Sequence, residues 1–236
     1  MAKELDWRGL VSDIELLAVA GCYEKVNKIM SLGLVNKLRR KAARLVASDD
    51  GFYADIGAGP GTSASIIIEE LTGGSVLALV DPSIEMLAVS LNRVRDPRVV
   101  RLGGLFESLP FSDSSVDGIT AMFSYRDAVD YHKALDEMAR VLKPDGRLAI
   151  LDFYRYENRL MHGLIKLYIL VMVPIALAIS LCPTYLKTYR SFLASIDRML
   201  TRSALLGALR ARFKEAKVYS MAPGVAIFYA RGPRIG

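Results

Sequence analysis

Residues 53–62, Tyr53-Ala54-Asp55-Ile56-Gly57-Ala58-Gly59-Pro60-Gly61-Thr62, set a carboxylate ahead of three glycines at alternate positions. A glycine-rich turn lets the backbone approach a ligand closely, because no side chain intervenes. The helix that should open beyond it offers N–H groups to a carboxylate. Asp55 closes a short apolar run and can hold an amino group. Asp81 closes the next apolar run, 26 residues later, and can accept hydrogen bonds from both hydroxyls of a ribose. A dinucleotide fingerprint wants Gly-x-Gly-x-x-Gly. Here the third glycine falls at 61 instead of 62. That spacing serves a bulky pyrophosphate poorly and the amino-acid end of S-adenosylmethionine (SAM) better. The competing reading, a tight turn with no ligand, does not account for strand, glycines, helix, strand and acid arriving in that order.

The elements that must position these groups alternate along the chain. Apolar runs at 52–55, 75–80, 99–102, 118–122 and 148–152 read as strands, and 62–71, 84–93 and 129–142 read as helices. Such alternation predicts a parallel sheet with helices on both faces. Ahead of it, 24–46 is helical in pattern with a break at Ser31–Gly33. Behind it, 213–220 and 225–231 read as two strands joined by Met221-Ala222-Pro223-Gly224. The expected fold is α/β: a Rossmann-like, mostly parallel seven-stranded sheet with a C-terminal antiparallel hairpin strand. At 236 residues the chain reads as one domain. Residues 1–47 would form a helical cap, and 153–212 an apolar and basic helical insertion acting as a substrate lid.

The net charge of +6 conceals an asymmetry. Residues 48–152 hold 9 Lys/Arg against 17 Asp/Glu, whereas the flanks hold 22 against 8. Basic flanks suit an acidic partner, either anionic lipid headgroups or nucleic acid, unless they are only solvated helix faces. Cys22 and Cys182 lack metal-ligand spacing and read as buried thiols in a reducing, cytoplasmic setting, and no metal is expected. The first residues lack a signal-peptide pattern. Residues 167–186 carry no charge. Twenty apolar residues could span a bilayer. However, a span would separate the C-terminal strands from their sheet, and Pro174 should interrupt the helix. A buried lid and an exposed apolar surface dipping into lipid headgroups both remain, with Lys187, Arg190, Arg198 and Arg202 close behind. Clustered aliphatics without exposed aromatics favour lipid over nucleic acid. The oligomeric state is left open.

Further segments carry a family resemblance. These are Cys22-Tyr23-Glu-Lys-Val-Asn27-Lys-Ile-Met-Ser31-Leu-Gly33, then Leu109-Pro110-Phe111-Ser-Asp113 with Asp117, and Phe123-Ser-Tyr125-Arg126-Asp127. Lys133 to Gly146 with its Pro144-Asp-Gly146 turn, and Tyr189-Arg190-Ser-Phe-Leu-Ala-Ser195-Ile, complete the set. Together with the glycine turn, they resemble the ubiquinone/menaquinone-biosynthesis C-methyltransferases of the UbiE type over about residues 15–232. Lys-Pro-x-Gly is shared by many methyltransferases, whereas the N-terminal and Tyr-Arg…Ser-Ile segments are more diagnostic.

The resemblance implies SAM as cofactor, held by Asp55, Gly57, Gly59, Gly61, Thr62, Asp81, Pro82, Phe106 and Phe123. It implies Tyr23, Arg126 and Asp127 as catalytic candidates, and Tyr125, Tyr189 and Ser195 as substrate-binding candidates. The acceptor would be the ring of a prenylated quinol such as demethylmenaquinol, a lipophilic small molecule met at an anionic membrane surface on the cytoplasmic face. Another lipid, a small molecule or RNA is the alternative acceptor. Two departures stand out. The family's Gly-Asp-Ala-Glu is Gly104-Leu105-Phe106-Glu107 here, which leaves adenine to backbone groups and apolar contact. Its Arg-Asn is Arg126-Asp127, which adds a carboxylate near the acceptor. Arg126 is too basic to serve as a base but can stabilise a phenolate; Asp127 could take the proton. His132 and His162 lie outside these motifs and read as structural.

Overall fold

The computed structural model describes residues 33–180 and 193–234, with residues 25, 28, 29 and 31 ahead of them. Cys22, Tyr23, Asn27, Cys182, Lys187, Tyr189 and Arg190 lie outside the described residues. The segment before the sheet breaks where the sequence predicts. Gly33 takes φ +79°, and its amide donates to the Lys28 carbonyl at 2.7 Å. This is the left-handed glycine cap of a helix end. Helix α1 (Val35–Val46) follows and buries Val35, Leu38, Arg39, Ala42, Ala43 and Val46, a stripe at helical spacing.

From there strands and helices alternate: β1 (Phe52–Ile56), α2 (Ala64–Glu70), β2 (Val76–Asp81), α3 (Ile84–Arg93), β3 (Val99–Gly103) and β4 (Val116–Met122). A single 3-10 turn at Tyr125–Asp127, α4 (Tyr131–Val141) and β5 (Leu142–Phe153) come next. Local chemistry marks the helix starts. Ser83 accepts the Met86 amide to cap α3, and Asp130 accepts those of His132 and Lys133 to cap α4.

The seven strands lie in the order β3-β2-β1-β4-β5-β7-β6, with β6 (Phe213–Ala222) and β7 (Val225–Pro233) at the C-terminus. β1 to β5 run parallel. β7 alone is reversed, antiparallel to both β5 and β6. This is the mostly parallel Rossmann-like sheet with one reversed strand that the alternation predicts. The central strands are apolar on both faces, as a sheet covered on both sides requires. Leu77 and Leu79 pack with Tyr53, α1 and α2, while Ala78 and Val80 pack with Ile119, Ile150 and α4. Chain order reverses between β1 and β4, so the crevice for a ligand opens at their carboxyl ends.

Two elements differ from expectation. β5 begins at Leu142 and not at Leu148. Val116 pairs with Leu142 but Gly118 with Arg147, so the Lys143–Gly146 turn bulges out of a longer strand. The apolar helix α5 (Arg159–Ile179) starts eight residues before the uncharged run, capped by Asn158, and continues through Pro174. Proline removes one hydrogen bond. Here the Leu, Met and Ala around it are strong helix formers, and the helix persists. Residues 193–198 are helical again, and α6 (Arg202–Arg212) leads into β6.

Candidate active site

The carboxyl ends of β1, β2 and β4 converge on a cavity of ≈ 190 Å³. Its floor is the turn after β1. Gly57 (φ +68°) and Gly61 (φ +74°) lie in the left-handed region. A Cβ at Gly57 would stand 2.5 Å from Ser124 Cβ, and one at Gly61 2.9 Å from Ser90 Cβ. Only glycine gives both the conformation and the close approach. Several of the turn's amides are engaged by the protein itself. Those of Gly57 and Ala58 donate to the Val80 carbonyl, Gly61 to Ala58 and Ala64 to Gly61. The Gly59 amide donates to Asp81 Oδ2 at 2.7 Å. The amides of Thr62 and Ser63, just ahead of the seven-residue α2, make no such bond.

Asp55, Asp81 and the adjacent pair Arg126 and Asp127 arrive from three separate elements. Asp55 sits beneath the floor, 2% exposed, and accepts the Thr120 hydroxyl at 2.6 Å. Burial pushes its carboxyl up to about 7, against the opposing pull of the Thr120 hydroxyl and the Arg39 guanidinium. Asp81 lines the cavity with Pro82. Its Oδ1 accepts the Ser83 amide at 2.9 Å, so one carboxylate ties the glycine turn to the start of α3.

Arg126 also lines the cavity. Its Nη1 donates to Asp152 Oδ1 at 2.9 Å and to the Phe123 carbonyl. Its backbone amide donates to Asp152 Oδ2 at 3.0 Å. Asp152 ends β5, so the guanidinium is both an ion pair at the sheet end and part of the cavity wall. Asp127 Oδ2 lies 3.8 Å from Arg126 Nη2, with a quarter of its side chain accessible. Burial pushes this carboxyl up to about 6; Arg126 draws it down and Asp152 draws it back up.

The remaining candidates divide. Gly57, Gly59, Thr62, Asp81, Pro82, Phe106, Phe123, Arg126 and Asp127 share the cavity wall. Phe106 stands edge-on to Tyr125 at 6.0 Å. Leu105, where the family has aspartate, is an exposed wall residue. Phe123 takes φ +61°, costly for a large side chain, and its amide is held by the Leu151 carbonyl at 2.7 Å. Asp55 and Gly61 lie behind the wall. Tyr125 is fully buried, and its hydroxyl donates to the Tyr131 carbonyl at 2.7 Å, so it supports the wall from the core. Ser195 is buried on the 193–198 helix, away from the cavity. Tyr23 and Tyr189 lie outside the described residues.

Three wall or near-wall groups escaped the sequence reading. Arg39 of α1 reaches the cavity with its guanidinium 5.9 Å from the Phe123 ring centroid. Glu107 Oε1 accepts the amides of Val129 at 2.7 Å and Asp130 at 3.0 Å, which pins the rim. Arg198 Nη2 donates to the Arg126 carbonyl at 3.3 Å. One signal was available for Arg39: it is a charge in the apolar stripe of α1.

The site fits SAM. Gly57 and Gly59 line the cavity with no side chain to occupy it. The Thr62 hydroxyl is buried at the wall with no hydrogen-bond partner, which suits a ligand that supplies one. Comparisons with known proteins agree. Residues 9–231 match the model of the ubiE/COQ5 methyltransferase family. The chain is 27% identical over 218 residues to a ubiquinone/menaquinone biosynthesis C-methyltransferase UbiE of Citrifermentans bemidjiense, covering 90% of this chain and 92% of that one. It is 35% identical over 158 residues to a demethylmenaquinone methyltransferase of Mycobacterium sp. (strain KMS), covering 66% of each. In fold it is similar to a SAM-dependent methyltransferase of Thermotoga maritima, with TM-score 0.64 and 18% identity over 94% of this chain and 99% of that one. It is also similar to a Haemonchus contortus phosphoethanolamine N-methyltransferase 2 in complex with S-adenosyl-L-methionine, with TM-score 0.58 and 18% identity over 79% and 50% of the two chains. A glycine cradle at the sheet's switch point, two acids on adjacent strand ends and a family match over nearly the whole length make this chain a SAM-dependent methyltransferase that belongs to the ubiE/COQ5 methyltransferase family.

Proposed function

We propose that the chain methylates a ring carbon of a prenylated quinol, of the demethylmenaquinol kind. The observation that carries this reading is the Arg126–Asp127 pair on the wall of the same cavity as the glycine cradle. Bound SAM supplies an electrophilic methyl group. Asp127 removes the proton of a ring hydroxyl, either directly or through water, which raises electron density at the adjacent ring carbon. That carbon forms the new C–CH₃ bond as the methyl–sulfur bond breaks, leaving neutral S-adenosylhomocysteine. The ring carbon then loses its own proton, aromaticity returns and the hydroxyl is restored, for a net release of one proton. Arg126 stabilises the phenolate by charge, and its ion pair with Asp152 holds it in place.

The insertion at 153–212 suits a lipophilic acceptor as lid and lipid-facing surface. Among the described residues α5 is the one helix long and apolar enough to cross a membrane by length and composition. Its return strand β7 pairs beside β5 over Arg147–Phe153, which argues for lying on a membrane over crossing it. One edge of α5 packs through Ile165 and Ile169 onto Phe153, Tyr156 and Ile196. Leu160, Leu164, Leu167, Leu170, Val171 and Ile175 are exposed. Arg155, Arg159, Arg198 and Arg202 around it are exposed as well. An apolar face ringed by cations fits the cytoplasmic face of an anionic bilayer, and Arg198 links the insertion to the catalytic wall through the Arg126 carbonyl.

The test is a transfer assay with methyl-labelled SAM and a lipid extract containing demethylated quinols under reducing conditions. Label in a quinone fraction, lost in Arg126→Ala, is the expected result. Label in phospholipid replaces the acceptor. Label in no lipid, with SAM binding intact, overturns the lipid reading and turns attention to RNA or a soluble metabolite.

A further inference from the structure

SAM has two unlike ends, a charged amino acid and a flat nucleobase, and the cavity has two unlike sides to receive them. The strands lie in the order β3-β2-β1, so the turn after β1 and the segment after β3 stand on opposite sides of the end of β2. The β1 side offers polar groups, the Thr62 hydroxyl and the amides of Thr62 and Ser63, which suit the charged end. The β3 side offers Leu105 and Phe106, with Met86 of α3, which suit the faces of a base.

A base is apolar only on its faces. Adenine carries an exocyclic amino group on its edge, and a donor taken out of water needs an acceptor. In the segment after β3, Glu107 is the polar side chain of the cavity lining. It is half-buried, and its two oxygens are differently employed. Oε1 accepts the amides of Val129 at 2.7 Å and Asp130 at 3.0 Å. Oε2 accepts no hydrogen bond from any described residue. The two bonds to Oε1 hold the side chain in place, so Oε2 is an acceptor fixed before a ligand arrives. The other acids of the wall are turned elsewhere. Asp81 takes the Ser83 and Gly59 amides, one on each oxygen, and Asp127 stands beside Arg126 after β4.

We infer that Glu107 Oε2 accepts a hydrogen bond from the exocyclic amino group of adenine, which makes Glu107 the residue that selects an amino-purine cofactor over an oxo-purine one. The inference deepens the SAM reading of the cavity and is independent of the methyl acceptor. Glu107 then supplies the acceptor that Leu105 lacks, and one carboxylate joins the base to the Val129–Asp130 rim.

The test compares S-adenosylhomocysteine with S-inosylhomocysteine, in which a carbonyl replaces the exocyclic amino group, by titration calorimetry with no methyl acceptor present. The wild type should bind the amino ligand about 10–100-fold more tightly, because the oxo ligand loses a charge-assisted bond and turns a lone pair toward Oε2. A wild type without this preference overturns the inference. Glu107→Gln separates the proposed role from bracing of the rim. The glutamine oxygen can still take the Val129 and Asp130 amides, which puts its NH₂ in the place of Oε2, a donor where there was an acceptor. The amino ligand should weaken and the oxo ligand strengthen, so that the preference disappears or reverses. Equal weakening of both ligands, as a rim role alone would give, overturns the inference, and so does a preference that stays as in the wild type. If Glu107→Gln melts below the assay temperature, Glu107→Asp serves, because it keeps the charge but ends one methylene short. Its preference should fall below that of the wild type, and an unchanged preference overturns the inference. Failure of the quinol reading would appear only in the transfer assay and would leave this comparison intact.

Discussion

Asp127 and Asp55 are both raised carboxyls, and the consequences differ because one opens to the cavity and the other is sealed. Asp127 is pushed up to about 6, so near neutral pH it is ionised and still basic enough to take a proton. The transfer rate should fall about tenfold per pH unit below 6 as this carboxylate protonates. Asp127→Asn should lower the rate by roughly 10²–10⁴-fold and flatten that limb. A variant that keeps the wild-type pH profile would show that the base lies elsewhere. Asp55 has a folded-state value of about 7, above that of an unfolded aspartate. The folded chain therefore binds this proton more readily than the unfolded chain, and stability contributed at this site falls as pH rises from about 4 to 7. Asp55→Asn should raise the Tm of the ligand-free chain at pH 8 more than at pH 5. An equal shift at both pH values would contradict the assignment. Asparagine still offers the Thr120 hydroxyl an acceptor, so the comparison isolates the charge.

At the scale of elements, the turn between β1 and α2 is held by its contacts and not by its own propensity. Gly57 and Gly59 both take positive φ, but their surroundings differ: a Cβ at Gly57 meets Ser124 and Phe106, and one at Gly59 meets nothing within 4 Å. Gly59→Ala should therefore cost only the backbone term, about 1–2 kcal/mol. Gly57→Ala adds overlap with Ser124, typically about 1–3 kcal/mol more, and should abolish cofactor binding. Denaturant melts with S-adenosylhomocysteine titrations check the order, and the reverse ranking would mean that the turn is differently arranged. The rest of this end is braced by β5. Asp152 accepts from both the amide and the guanidinium of Arg126, and the Leu151 carbonyl holds the left-handed Phe123. This wall of the cavity is thus set by the strand next to the one that carries it.

For the whole molecule, the decisive feature is a catalytic sheet with an excess of acids beneath an insertion whose outer surface is apolar and basic. The proposed membrane contact would combine long-range attraction to an anionic surface with local insertion of α5. The protein should sediment with phosphatidylglycerol-containing vesicles and less with neutral ones, and partial release by high salt should separate the electrostatic share from the apolar share. Leu164→Glu with Leu170→Glu should cut the bound fraction at least about tenfold and leave S-adenosylhomocysteine binding unchanged. Absence of vesicle binding in the wild type would assign the exposed face of α5 to something other than lipid.

Local spacing in the chain was enough for the order of the elements, the glycine turn, Asp55 and Asp81 at neighbouring strand ends, and the reversed C-terminal strand. Hydrophobic period and turn chemistry are short-range properties, legible without knowing what packs where. Family likeness at Phe123–Asp127 extended this to residues that line the cavity. What the tertiary structure decided is which side chains meet. The crossover between β1 and β4 brings Arg39, Asp81 and Asp127 to one cavity from positions far apart in sequence, and no window of spacing contains that fact. Burial then reassigns roles: Tyr125 serves as core support, and Arg126 is partly neutralised by Asp152. Pro174 passes without a break because the rest of α5 outweighs one lost hydrogen bond. A charge inside the apolar stripe of α1 was visible all along at Arg39. Only the fold shows that it reaches the cavity wall, because a buried cation is explained by its neighbours in space and not by those in the chain.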